Sequence, residues 1–181
     1  MTENQTDLAL IFKVLEFAAF KHKNQRRKDV DSSPYINHPI ALAKVLCVEG
    51  GVTDVNVICG AILHDTIEDT ETTAEELTLH FGDAIAKIVD EVTDDKKLPK
   101  DVRKRLQIEH APHASHQAKL VKLADKICNL RDIVNTPPAD WSLQRKQEYF
   151  DWAKEVVDQI RDASAELSLA FDKTYAQKPI S

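Results

Sequence analysis

Between Val55 and Leu63 the chain reads VNVICGAIL, and the next six residues are HDTIED. The first stretch is apolar nearly all round a helical period. A helix of that kind has no face to give to water and is buried on every side. This is what most constrains the fold, because a central apolar helix needs a shell of other elements around it. The second stretch poses a question. One histidine and three acids stand where the buried helix ends, and charged groups are unfavourable there unless a counter-charge, water or a metal ion compensates them.

The shell can be read from the same periodicity. Leu8, Ile11, Phe12, Leu15, Ala18 and Ala19 recur at helical spacing and open a first helix. It fades into KHKNQRRKDVDSSPY, a loop by its Asp, Ser and Pro content. Pro39 suits a helix start and places His38 there. Gly50-Gly51 ends that helix near Glu49, and Thr53 can cap the apolar helix that follows. Thr72 or Thr73 caps a short helix, with Glu75 or Glu76 in capping-box position. Gly82 breaks it before a helix carrying Ile85, Ile88, Val89 and Val92. TDDKKLPK is a loop. A polar helix lies near 102–111 and a long one over about 115–134, stopped by Pro137-Pro138. Trp141-Ser142 starts another through about residue 160, and the periodicity resumes to Phe171. Only four glycines occur and strand-like alternation is scarce. The expectation is an all-α, single-domain bundle of about seven to ten helices. It covers residues 1–181, with a core over about 8–169 and a tail at 177–181 that frays.

Composition narrows the function classes. The longest apolar runs fall well short of the ~20 residues needed to span a bilayer. MTENQTDLAL lacks the basic start and apolar stretch of a signal peptide. Cys47, Cys59 and Cys128 stand singly in apolar helical contexts and read as buried reduced thiols of a cytoplasmic protein. The net charge, 24 − 30 = −6, argues against nonspecific nucleic-acid binding. It leaves room for a phosphorylated small molecule, which needs only a local basic cluster. The stretch 21–28 is such a cluster, with five basic residues and no acid.

His64 and Asp65 are adjacent and point about 100° apart on a helix. They converge on one ion only at a helix end or through a local distortion. His38 stands at another helix start. Asp125 lies in KLVKLADKICNL, where Leu120, Leu123, Ala124, Ile127 and Leu130 form an apolar face. Lys122, Asp125, Asn129 and Asp132 form a second stripe between apolar flanks, an uncomfortable place for a merely solvated face. Two imidazoles and two carboxylates suit Mn²⁺, Fe²⁺ or Zn²⁺. His110, His113 and His116 cluster near Pro112 and read as solvated residues at a helix end.

A histidine, then His-Asp, then a distant Asp on a helical chain resembles the HD phosphohydrolase superfamily. RRKD, PYINHP, LHDTIEDT, FG, VTDDK, KLADKICNL and WSLQRKQEYFDWA, in that order, resemble the RelA/SpoT-type alarmone hydrolases, and most of all their small stand-alone members. The resemblance runs from about Leu8 to about Leu169. It implies an HD-type helical bundle and hydrolysis of the 3′-pyrophosphate of (p)ppGpp to GDP or GTP plus pyrophosphate. It also implies one Mn²⁺ held by His38, His64, Asp65 and Asp125. Glu68 and Asp69 are the implied catalytic acids. Arg26, Arg27, Lys28, Asn129, Tyr149 and Lys122, with Lys119 more loosely, are the implied nucleotide contacts. Animal members of the small group also remove the 2′-phosphate of NADPH, which makes NADPH a second implied substrate for the same site. A non-catalytic nucleotide sensor would be marked by loss of a metal ligand or of Glu68 or Asp69, and none is missing. The synthetase and regulatory domains of the long alarmone enzymes have no counterpart here, so the expectation is a chain that degrades the alarmone and does not make it.

Overall fold

The computed structural model describes residues 3–180. In chain order the α-helices are α1 (Glu3–Lys21), α2 (Asn37–Lys44), α3 (Val55–Leu63), α4 (Thr66–Asp69) and α5 (Ala74–Phe81), followed by α6 (Asp83–Val92), α7 (Lys100–His110), α8 (His116–Asn135), α9 (Leu143–Asp158) and α10 (Ala165–Tyr175). An isolated antiparallel bridge, Arg26 to Pro34, is the only strand-like pairing among the described residues. The fold is all-α, as the periodicity predicts.

The apolar helix α3 is central, as its composition demands. Val57 through Leu63 are all buried. Its two sides feed two clusters. Ile58, Cys59, Ile62 and Leu63 pack with Val14 and Ala18 of α1, Leu77 of α5 and Ile85 and Val89 of α6. Val57 and Ala61 join a larger cluster with Leu42, Leu123, Ile127, Leu130, Phe150, Leu167 and Phe171. Each large apolar side chain buried in this way contributes ~1.5–3 kcal/mol. Gly60 permits the closest approach: a Cβ there would meet Ile88 Cγ2 at 2.6 Å.

The second central helix, α8, lies beside α2, α3, α6, α9 and α10. Its buried set includes two lysines, Lys122 and Lys126, among the aliphatic residues. Pro99, Ser115 and Ser142 precede α7, α8 and α9, and the two serines accept the N-terminal amides of Ala118 and Arg145.

Four local expectations change. Asp54, not Thr53, caps α3, accepting from Asn56 N at 2.9 Å, because its carboxylate stands one residue nearer the helix start. The first helix begins by Glu3, ahead of the apolar periodicity that suggested Leu8. Cys47 is exposed, unlike Cys59 and Cys128. It lies in a π-helical turn, Val45–Glu49, that extends α2 and turns Cys47 and Val48 outward. The tail expected to fray is held by Gln147 Nε2 donating to Pro179 O at 2.9 Å and by Lys178 Nζ at 2.6 Å from Asp151 Oδ1. Ser181 lies outside the described residues. Also among them, no helix is long and apolar enough to cross a membrane.

Candidate metal centre and its cleft

The distortion that an adjacent His-Asp pair requires is present. His64 keeps helical angles at the end of α3, and Asp65, at φ −101° and ψ 1°, leaves them before α4 begins. The two side chains thereby converge. His64 Nδ1 lies 2.8 Å from Ala61 O, and a carbonyl only accepts, so Nδ1 carries a proton. In the neutral ring Nε2 is then a lone pair. It is buried and has no hydrogen-bond partner. Asp65 Oδ2 stands 2.8 Å from it, at hydrogen-bond length but without hydrogen-bond geometry.

Two electron-pair donors facing each other in a buried site call for a cation between them. His38 completes the set from α2, its ring 5.2 Å from that of His64. His38, His64 and Asp65 each offer a ligand atom within 4.8 Å of the others, the one such group among the described residues. Asp125 falls outside that tight triad but against its histidines. Its Oδ1 is 3.3 Å from His38 Nε2 and 3.9 Å from His64 Nε2. The donor set fits a divalent ion.

The electrostatics agree. Burial works to lower the His64 pKa, but the Asp65 and Asp125 carboxylates outweigh it and raise it to about 9. Without a metal, a proton supplies the positive charge. Burial works against ionised Asp65 and Asp125 too, but His64 on the first and Lys126 and His38 on the second hold both below the usual carboxylate range. Asp125 is clamped by Lys126 Nζ at 3.0 Å and Asn129 Nδ2 at 2.6 Å. Tyr35 Oη donates to Asp65 Oδ2.

Glu68 and Asp69 occupy the single turn α4 and face different surroundings. Glu68 accepts from Asp94 N at 3.2 Å and has Arg103 Nη1 at 3.6 Å. Burial, then the Asp65 charge, raises its pKa to about 7. Asp69 accepts from Gln25 Nε2 at 2.6 Å and is paired with Lys96. Asp69 lines the main cleft, and Glu68 does not.

That cleft has a volume of about 710 Å³. Buried His38 and half-buried Asn129 line its floor, Arg27 with exposed Arg26 and Lys28 its rim, and Trp141 and Tyr149 complete the lining. Arg27 pairs with Asp132, reaches Asn129 Oδ1 at 3.4 Å and lies 5.6 Å from the Tyr35 ring. Arg26 is exposed and donates to Lys23 O and Gln25 O, each at 3.0 Å. Lys122 and Lys119 do not line the cleft. Lys122 is buried with Asp94, Asp125 and Glu68 in electrostatic reach, and burial, then Lys126, lowers its pKa to about 8. His110, His113 and His116 are exposed, as read from the sequence.

Several residues escaped the sequence reading. Tyr35 was visible in PYINHP but gives no sign of reaching Asp65. Gln25 and Lys96 are brought to Asp69 from 44 and 27 residues away by folding, His22 acts on Gln25, and Lys126 adjoins Asp125 without any local pattern that marks the pairing.

The residues 14–151 match the model of the HD domain family. The chain therefore belongs to the HD-domain family, whose members carry a divalent metal, and its full-length relatives are small hydrolases. It is 56% identical over 176 residues to the guanosine-3′,5′-bis(diphosphate) 3′-pyrophosphohydrolase MESH1 of Xenopus tropicalis, covering 97% of this chain and 98% of that one. The Homo sapiens protein of the same name is 50% identical, at 97% and 98% coverage. A solved structure described as a metazoan ortholog of SpoT that hydrolyzes ppGpp superposes with a TM-score of 0.91 at 46% identity, covering 96% of this chain and 97% of that one.

Proposed function

We propose that this chain hydrolyses the 3′-pyrophosphate of (p)ppGpp to GDP or GTP plus pyrophosphate, using one Mn²⁺ held by His38, His64, Asp65 and Asp125. The observation that carries the reading is the unpartnered, buried His64 Nε2 facing Asp65, in a centre whose His38 opens onto a cleft walled by Arg26, Arg27 and Lys28. The names of the full-length relatives support it.

A divalent ion in this centre supplies Lewis-acid polarisation of a phosphoryl oxygen and lowers the pKa of water. The chain's own residues do the rest. Glu68, with a pKa raised to about 7, can take a proton from water at neutral pH. Asp69, held by Gln25 and Lys96, orients the attacking water. Arg27 offers a planar face for a purine and a fork for phosphate, and Arg26 and Lys28 add charge at the rim. Asn129, beside Asp125, is in reach of the ribose, and Tyr149 completes the lining. Lys122 offsets the negative charge of Asp94, Asp125 and Glu68 beside the centre. The whole chain acts as one domain, in the cytoplasm.

The test is a comparison of kcat/KM on ppGpp and on NADPH with Mn²⁺ present. Pyrophosphate release from ppGpp is expected at the much higher value. Preferential phosphate release from NADPH would replace the substrate and keep the centre. Nucleotide binding with no turnover of either would overturn the reading in favour of a sensor.

A further inference from the structure

We propose that His22 and Gln25 are positioning residues that fix Asp69, so that the loop carrying the rim cations also sets the geometry of a catalytic acid. The proposal rests on the hydrolase reading for the role of Asp69, but its geometry stands alone.

His22 follows α1 directly and is 2% exposed. Its ring packs on Tyr35 with centroids 4.8 Å apart. Its Nδ1 lies 2.7 Å from Gln25 Oε1, and Gln25 Nε2 donates to Asp69 Oδ2 at 2.6 Å. The order of donors follows from chemistry. An ionised carboxylate only accepts, so the Gln25 amide nitrogen faces Asp69 and its carbonyl faces His22. That carbonyl only accepts, so His22 Nδ1 carries the proton. The result is a one-way chain, His22 to Gln25 to Asp69, in which the acid dictates the amide orientation and the amide dictates the tautomer. His22 Nε2 agrees. It is buried without a partner, acceptable for a lone pair but a heavy penalty for an N–H.

The backbone holds the same segment. Gln25 N donates to His22 O at 2.9 Å, and Tyr35 N donates to Gln25 O at 3.2 Å. Arg27 N donates to Ser33 O at 2.9 Å one step further along. Gln25 is thus pinned immediately before Arg26, Arg27 and Lys28. Tyr35, on the returning side of the loop, packs against His22 and donates to the metal-centre residue Asp65. His22 is the common support: its Nδ1 serves the arm to Asp69 and its ring face serves the arm to Asp65.

The experiment is a double-mutant cycle on the Mn²⁺-loaded full chain, with a spectroscopic companion. Gln25→Ala is expected to lower kcat on ppGpp by ~10-fold, the scale of an outer hydrogen-bonding partner, with KM changed by less than about twofold. In an Asp69→Ala background the same substitution should have no further effect on kcat. His22→Phe, which keeps a ring against Tyr35, should match Gln25→Ala and not add to it. Equal losses from Gln25→Ala with and without Asp69 would overturn the proposal, as would a loss confined to KM. The companion is the ¹H–¹⁵N resonance of His22 in substrate-free protein. A hydrogen-bonded Nδ1–H is expected, and Gln25→Ala and Asp69→Ala should each perturb it. An Nε2–H tautomer would sink the relay even in an active hydrolase. An intact relay in a protein that turns over no ppGpp would instead sink the hydrolase reading alone.

Discussion

The floor of the cleft and its rim handle charge in opposite ways. Beneath the floor, where His38 opens onto the cleft, two imidazoles and two carboxylates come from helix ends and helix faces, with His38 4% and His64 5% exposed. Each carboxylate there has a fixed neighbour: Tyr35 on Asp65, and Lys126 and Asn129 on Asp125. At the rim, the cations ride on a loop, Arg26 and Lys28 are exposed, and among the described residues only Arg27 of the three has an acidic partner. A floor held rigid before the ligand arrives suits transition-state stabilisation. A rim of solvated cations suits capture of a polyanion. The difference teaches where each loss should register: in kcat and metal content for the floor, in KM and salt dependence for the rim.

The largest effect should follow Asp125→Ala. It removes the fourth proposed ligand and leaves Lys126 buried without its ion-pair partner, a situation that destabilises by ~3–5 kcal/mol. Mn²⁺ should no longer co-purify, turnover should fall below detection, and thermal unfolding should begin earlier. Full metal content measured by elemental analysis would break the claim that the floor is a four-residue centre.

Next comes Glu68→Gln, the sharpest probe of the floor because the substitution is nearly isosteric. Metal content should be unchanged and kcat should fall by ~10²–10⁴-fold. Its pH profile adds a sign. Glu68 accepts a proton only when ionised, and its pKa is raised to about 7 by burial and by Asp65. In wild type kcat should therefore rise with pH on an acid limb, which the positive charge of a bound metal draws below 7. In Glu68→Gln that limb should disappear. A limb that survives would assign the proton transfer to another group, with Asp69 the first candidate.

The same contrast explains what could be read before folding was known. The floor was legible because its chemistry is local: HDTIED ends an apolar helix, KLADKICNL carries its acid between apolar flanks, and each needs a compensating charge. α3 was legible because all-round apolarity admits only a buried position, and α8 because its polar stripe runs between apolar flanks. The supports were not legible. Gln25 and Asp69 are 44 residues apart in sequence, and Tyr35 and Asp65 are 30 apart. No periodicity within one element encodes such a pairing. Lys122, buried and outside the cleft lining, shows a related limit. Its spacing puts it on the stripe with Asp125, but neighbouring helices decide which part of a stripe opens to the cleft.

At the rim, Arg27→Ala should have a moderate effect. Arg27 pairs with Asp132 and touches Asn129. Its loss leaves an acid at the cleft wall with no cation to offset it. KM for ppGpp should rise by ~10-fold while kcat changes less than twofold, the pattern of lost uniform binding. Arg27→Lys should restore little, because an ammonium replaces neither the fork nor the planar face. A fall in kcat of the size seen for Glu68→Gln would erase the distinction between rim and floor.

The smallest effect should come from Lys28→Ala, and it is the cleanest test of the rim as an electrostatic device. Lys28 lines the cleft, is exposed, and has no ion pair among the described residues. Removing its side chain breaks no hydrogen bond or ion pair among the described residues, so stability should stay within about 0.5 kcal/mol of wild type. What it changes is the field that a polyanion meets on approach. That field is screened over ~8 Å at physiological ionic strength and over ~3 Å at 1 M salt. KM should therefore rise by roughly twofold to fivefold at low salt, with kcat unchanged, and the difference from wild type should vanish as salt is raised. A KM defect that persists at high salt would mean that Lys28 makes a short, fixed contact with the nucleotide. The rim would then be partly preorganised in the manner of the floor.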